Sequence, residues 1–265
     1  SYTDRAMTPG GPVSLHRDLG GQGNVFPLVD VGFSSHVLAR LHPGARVHLV
    51  GAPWRLRLLV AAGLAERTWA TSQLEQFLAG AGPADAFADA DEVVLFAFEA
   101  DPPYARELAR RVRGRVVVRP HFPEPGSGVH VADHVHAAFG HLGLSPRADR
   151  SYVLPVAGDQ VRWATDFLGA GPRPALYVHP GTKIETKRWP AGRFVEVARR
   201  LSAEGWRILI GRGPMDEEVN RPIEEALSRA PGVASAAGHD LGRTAGLLRT
   251  DDAYLGVDSG VTHLS

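Results

Sequence analysis

The chain alternates short β-branched apolar runs with longer stretches whose apolar residues recur every three or four positions. That alternation predicts an α/β protein built on parallel strands. "ARVHLVG" (45–51), "DEVVLFAF" (91–98) and "GRVVVRP" (114–120) read as strands, and "PVSLHR" as a weaker one before them. "PWRLRLLVAAGLA", "PPYARELARRVRG" and "HVADHVHAAFGHLGL" read as helices. In the last of these (130–144), Val131, Val135, Ala138, Phe139 and Leu142 form the apolar stripe.

A second series follows "SPRADRSYVLPV". "QVRWATDFLGAG" is a helix closed by glycine, and "PALYVHPG" is a strand. "PAGRFVEVARRLSAEG" is a helix with Pro190 at its start, and "WRILIGRG" is the next strand. "MDEEVNRPIEEALSRA" is a helix opened by acidic residues, which suit its positive end. "GVASAAG", then "DLGRTAGLLRT" with Asp240 as N-cap, then "DAYLGVDSG" complete the series. The boundary between the halves falls near 145–155, and both halves predict a doubly wound sheet.

Length and composition fit that picture. At 265 residues the chain is long enough for two domains of roughly 100–200 residues. Acidic and basic residues balance at 29 each, so nothing in the total points to nucleic acid, and any anion site must be local. Cysteine is absent, which excludes disulfides and thiolate metal sites and suits a reducing compartment. No apolar run reaches the roughly 18 residues of a membrane span, and no basic amphipathic segment marks membrane docking. The opening 1–12 is polar and rich in Pro and Gly, and reads as a loose tail.

Three turns that follow strands carry the candidate chemistry. "HPGTKIETKRWP" (179–190) combines Gly181 with Thr182, Thr186, Lys183, Lys187 and Arg188, donors suited to phosphate oxygens. The alternative is a solvated loop with Trp189 as a core plug. "GVDSGVTH" (256–263) places Asp258, Ser259 and Gly260 where backbone N–H groups form an anion-binding nest at a helix start. Asp258 itself suits loop N–H groups or a ribose hydroxyl better than a phosphate, and a plain N-cap is the simpler alternative. His263 either donates to the same anion or is a buried structural histidine. "GRGPMDEE" (211–218) offers Asp216 or Glu217 to a hydroxyl-rich ligand, or to its own helix N-terminus. His130, His134, His136 and His141 invite a metal reading, and His130 and His134 stand one helical turn apart, a spacing zinc ligands use, but His136 points elsewhere and no second motif supplies carboxylate ligands. A solvated helix face is the better reading, so no metal is expected.

The span "HPGTKIETKRWPAGRFVEVARRLSAEGWRILIGRGPMDEE" with "YLGVDSGVTHLS" resembles the donor-binding half of glycosyltransferase family 9, the heptosyltransferases of GT-B fold. The resemblance is strongest over 175–265. It implies two facing Rossmann-like domains: an acceptor-side domain over 1–150 and a nucleotide-sugar domain over 151–265, the latter stopping short of the family's usual closing helices. It implies that Thr182, Thr186 and Lys187 contact the diphosphate or sugar. Ser259, Gly260, Val261 and Thr262 match the phosphate turn, Asp258 and His263 match that motif's acid and histidine, and Asp216 falls near an acid that reads donor hydroxyls.

The implied reaction is metal-independent, inverting transfer of a heptose from a nucleotide diphosphate sugar, usually ADP-linked, with no other cofactor. The implied acceptor is a saccharide, lipopolysaccharide core or small hydroxyl compound, in the cytoplasm at the inner membrane face. A GT-B-like sugar-nucleotide epimerase and a nucleotide-sugar-binding protein without catalysis are the alternatives. The catalytic match is weaker. Where the family carries Gly-Asp with the base, "RDLGGQGNVF" has Gly23 and Asn24, and an amide does not take a proton as a carboxylate does. Asp18 and Asp30 are the nearby substitutes.

Overall fold

The computed structural model describes residues 12–17, 26–81, 87–97, 102–145, 148–149, 151–171, 173–182, 185–213 and 216–265. Two compact units divide the chain: one contains Pro27–Leu154 together with the strand Pro12–Arg17, the other Pro155–Ser265. Residues 1–11 lie outside the described residues, and Pro12 already opens a strand.

The first unit is a five-stranded parallel sheet. Its elements are β1 (Pro12–Arg17), α1 (Phe26–Leu41), β2 (Arg46–Gly51), α2 (Pro53–Ala61), β3 (Arg67–Ala70), α3 (Thr71–Leu78), β4 (Glu92–Ala97), α4 (Pro103–Arg111), β5 (Arg115–Pro120) and α5 (Val131–Ala137). Strand order is β3-β2-β1-β4-β5, and every pairing is parallel. The interior strand β4, "EVVLFA", is buried along its whole length, as a strand covered on both faces must be. Its Val93 packs with Phe77, Phe87, Leu108 and Val112 on one face.

The helix expected over 130–144 ends at Ala137. A short 3-10 turn, Gly140–Leu142, follows, and Gly143 closes it with φ 90°. Two glycines interrupt the helical run where the apolar stripe would have continued. Each histidine of that region has its own partner. His130 caps α5 by accepting from Ala132 N–H, His134 donates to the Pro120 carbonyl, His136 meets Ser34, and His141 pairs with Glu92. Among the described residues no group of three His, Cys, Asp or Glu side chains is placed to hold a metal. No helix among them is long and apolar enough to cross a membrane.

The second unit runs α6 (Gly158–Leu168), β6 (Ala175–His179), α7 (Ala191–Ala203), β7 (Arg207–Arg212), α8 (Glu217–Leu227), β8 (Val233–Ala237), α9 (Leu241–Thr250) and β9 (Ala253–Gly256). Its parallel sheet is ordered β8-β7-β6-β9. Alternate residues of each strand face opposite layers. Leu176, Val178, Ile208 and Ile210 pack with Phe194, Ala198 and Ile223 of α7 and α8. Tyr177 and Leu209 pack with Ala164, Leu168 and Leu247 of α6 and α9. The two helices of that second layer touch closely, because a Cβ on Gly246 would meet the backbone carbonyl of Gln160. Asp240 caps α9, accepting from Arg243 N–H at 2.8 Å.

The amino edge of this sheet holds an acidic pair with divided duties. Asp252 accepts from Ala175 N–H at 2.8 Å and from Arg173 at 3.0 Å. Asp251 has one oxygen buried without a partner, and burial, with Asp252 beside it, raises its pKa to about 7. The folded state therefore holds a proton that the unfolded chain releases at its ordinary pKa of about 3.9, so stability falls as pH rises from about 4 to about 7. Asp251→Asn is expected to gain about 2 kcal/mol at pH 8, after discounting for solvent, and almost nothing well below pH 4. Denaturant midpoints at the two pH values check this; an equal change at both would refute the linkage.

Candidate nucleotide-sugar site at the carboxyl edge of the second sheet

In the second unit the chain moves from β6 outward to β7 and β8, then returns through α9 to lay β9 on the other side of β6. The β6–β9 boundary is thus a topological switch point, where open parallel sheets bind ligands beyond the carboxyl ends of their strands. The register sets the two exits side by side, since His179, the last residue of β6, pairs with Gly256, the last of β9. The turns that begin at Pro180 and Val257 therefore leave the sheet together.

Those turns contact each other through the residues expected to hold an anion. Lys187, at the end of a 3-10 turn spanning Glu185–Lys187, donates to the Asp258 carboxylate. His263 Nε2 lies 3.7 Å from the other oxygen of Asp258. The hydrogen bond from Lys187 is the main cause that holds the Asp258 carboxyl below its usual range. His263 is shifted the other way in charge: burial lowers its pKa despite Asp258, which favours the neutral ring. Thr182 Oγ1 is 3.4 Å from the Asp258 carbonyl. Thr186 and Arg188 are exposed on the same loop. Lys183 lies outside the described residues.

After β9, Thr262 is the hub of the turn. Its hydroxyl donates to the Val257 carbonyl at 2.5 Å and lies 3.0 Å from the Tyr254 hydroxyl and 3.3 Å from that of Ser259. The expected helix start is here a run of turns over 260–264, with Leu264 N–H bonded to the Val261 carbonyl. No backbone carbonyl among the described residues takes up the N–H groups of Ser259, Gly260 or Val261. Free consecutive N–H groups are what a nest presents to an anion.

The loop is anchored at its far end. Trp189 stands edge-on to Phe194 at 4.8 Å, so this tryptophan seats α7 on the loop. Pro190 is the N-cap of α7.

Asp216 takes a place that neither reading of its turn describes fully. It occupies the N-cap position of α8, yet its carboxylate makes no bond to that helix. It accepts instead from Gly213 N–H at 2.9 Å and lies 3.7 Å from His179 Nε2. A Cβ on Gly181 would collide with this carboxylate. His179 was not singled out from the sequence, because "ALYVH" reads as a plain buried strand; its position one residue before Pro-Gly was the available signal.

Of the three candidate base positions the structure describes one. Asp18 and Asn24 lie outside the described residues, and Asp30 falls within α1. β1 ends at Arg17 between β2 and β4, which is the switch point of the first sheet.

Comparison with known proteins agrees with this architecture. No curated protein sequence matches significantly. The structure is similar to a glycosyltransferase family 9 protein from Veillonella parvula, at TM-score 0.75 and 16% identity, covering 98% of this chain and 80% of that one. It is also similar to ADP-heptose lps heptosyltransferase II from E. coli, at TM-score 0.74 and 16% identity, covering 96% and 81%. E. coli heptosyltransferase WaaC with ADP matches at TM-score 0.67 and 16% identity, covering 96% and 83%. At such identities the likeness establishes the fold, which is that of GT-B glycosyltransferases. The family model described as "Glycosyltransferase family 9 (heptosyltransferase)" matches residues 105–265, more than half of the chain. It spans both turns of the switch point, and the chain belongs to glycosyltransferase family 9, the heptosyltransferases.

Proposed function

We propose that this glycosyltransferase moves a sugar, with heptose the leading candidate, from a nucleotide diphosphate donor to a hydroxyl acceptor, with inversion and without a metal ion. The observation that carries the reading is the meeting of Lys187 and Asp258 across the β6–β9 switch point. An exposed ion pair of this kind is worth about 0–1 kcal/mol, so a diphosphate replaces the carboxylate at Lys187 at little cost. Lys187, Arg188 and the N–H groups of 259–261 then surround the leaving phosphates, and Thr182 and Thr186 add hydroxyls. E. coli heptosyltransferase WaaC, solved with ADP and again with ADP-2-deoxy-2-fluoro heptose, supports an ADP-linked donor.

In the step itself the acceptor oxygen attacks the anomeric carbon from the face opposite the diphosphate. The bond from that carbon to the phosphate oxygen breaks, and the acceptor proton passes to a carboxylate. Asp18 or Asp30 fills that role, because the Asn24 amide is not basic enough. Cationic groups and a nest supply the positive potential that stabilises the departing charge. The acceptor is a saccharide, lipopolysaccharide core or small hydroxyl compound, reached from the cytoplasmic side of the membrane.

The test is calorimetric titration with ADP, UDP and GDP, then transfer from ADP-heptose followed by proton NMR of the product's anomeric centre. ADP binding, an inverted anomer and full activity in EDTA are expected. A folded protein that binds no nucleoside diphosphate refutes the reading. Binding without transfer to any acceptor would favour a nucleotide-sugar-binding protein, the reading to which Asn24 points.

A further inference from the structure

Three segments of the second unit converge on one carboxylate. Asp216 Oδ2 accepts from Gly213 N–H at 2.9 Å, in the turn after β7. His179 Nε2, at the end of β6, stands 3.7 Å from the same oxygen. Gly181, in the turn after β6, presses so close that any side chain there would occupy the carboxylate's place. The helix bearing Asp216 is itself fixed to β7, since Asn220, fully buried, donates to the Gly211 carbonyl at 2.8 Å. Asp216 is therefore wedged between two adjoining turns rather than free at a helix end.

The wedge leaves one oxygen uncommitted. Oδ1 of Asp216 has neither hydrogen bond nor ion pair among the described residues. In parallel nucleotide-binding sheets, the acid that follows the second strand is the one that accepts from a sugar hydroxyl. Asp216 follows β7, the second strand of its unit. His179 is only 5% exposed, so it does not reach a ligand itself. At 3.7 Å its hold on Asp216 is longer than a hydrogen bond, and works by filling the space into which the carboxylate would otherwise turn.

We infer that His179 is a positioning residue: with Gly181 it pins the Asp216 carboxylate so that Oδ1 receives a hydroxyl of the bound nucleotide sugar. The inference rests on the donor reading above, and adds the buried residue that makes Asp216 selective.

The experiment titrates the full chain with ADP-heptose and, separately, with inorganic pyrophosphate. The proteins are wild type, His179→Asn, His179→Gln, Asp216→Asn, the His179→Asn/Asp216→Asn double variant and Gly181→Ala. Loss of one charged hydrogen bond predicts ADP-heptose binding about tenfold weaker in Asp216→Asn and His179→Asn. The double variant is expected to be no weaker than Asp216→Asn alone, which is the signature of residues acting through one another. Pyrophosphate affinity stays within about twofold of wild type in the His179 and Asp216 variants, because Lys187, Thr182 and the β9 turn are untouched. KM for the donor rises while kcat holds, a split that general loosening of the fold would not give. Gly181→Ala, which displaces the Asp216 carboxylate with the histidine present, is expected to weaken ADP-heptose binding as His179→Asn does, and serves for that readout if the histidine variants do not fold. Wild-type affinity in folded His179→Asn, multiplicative effects in the double variant, or equal loss of pyrophosphate binding each overturn the inference. Wild type that binds neither probe overturns the functional reading, and this one with it.

Discussion

Lys187→Ala is expected to lower the transfer rate about 100- to 1000-fold, the usual consequence of removing one group that stabilises a developing anion. The charge argument is local. Asp258 accepts from Lys187, and the carboxylate is held below its ordinary range by that bond. Without the ammonium, the leaving diphosphate would face Asp258 uncompensated, so the variant loses an attraction and gains a repulsion. Lys187→Ala/Asp258→Asn is therefore expected to recover part of the loss. The fold should be unaffected, because the pair is exposed and such pairs contribute little stability. Steady-state kinetics on a variant with wild-type melting behaviour decides the matter; unchanged kcat would sink the role given to Lys187.

The second large effect is on stability. Phe194→Ala is expected to cost about 3–5 kcal/mol, the range for truncating a fully buried aromatic ring. Phe194 has no exposed surface and sits between Leu176, Val178, Ile208 and Ile223. It also carries the edge-on contact with Trp189 that ends the lysine loop. Trp189→Ala removes only that contact, worth about 1 kcal/mol, and leaves the cluster beneath intact. The pair of variants separates core from loop: denaturant midpoints fall steeply for Phe194→Ala and little for Trp189→Ala. Similar losses in both would show that the loop, rather than the cluster, sets the stability of this layer.

Much of the architecture was legible because burial is periodic. Tyr177 and Leu209 facing one layer, with Leu176, Val178, Ile208 and Ile210 facing the other, write the strands of the second unit directly into the sequence. The edge strand "RTWA" and the helix "TSQLEQFL" were not legible. The strand is four residues long with no fully buried position, and the helix holds just Leu74 and Phe77 in the core. The lysine loop and the Asp-Ser-Gly turn were readable as donors at strand ends. That Lys187 pairs with Asp258 was not, since only the strand order brings them together. His179 stayed hidden for a related reason: its partner, Asp216, belongs to the next strand's turn, and one-dimensional spacing says nothing about which turns adjoin.

The matching of His179 with Gly256 has a bearing on how this site comes into existence. Lys187 and Asp258 are 71 residues apart in the chain, and only β6–β9 pairing places them in contact. Closing so long a loop is entropically expensive and comes with the least local part of folding. On the proposed reading, a chain that has formed β6, β7 and β8 but not yet inserted β9 would have half a clamp and little affinity for the donor. If the proposed donor site is right, nucleotide binding would select chains whose last strand is in place, and by mass action would protect that strand from fraying. On that reading the donor would serve the second sheet as a closing brace as well as a substrate.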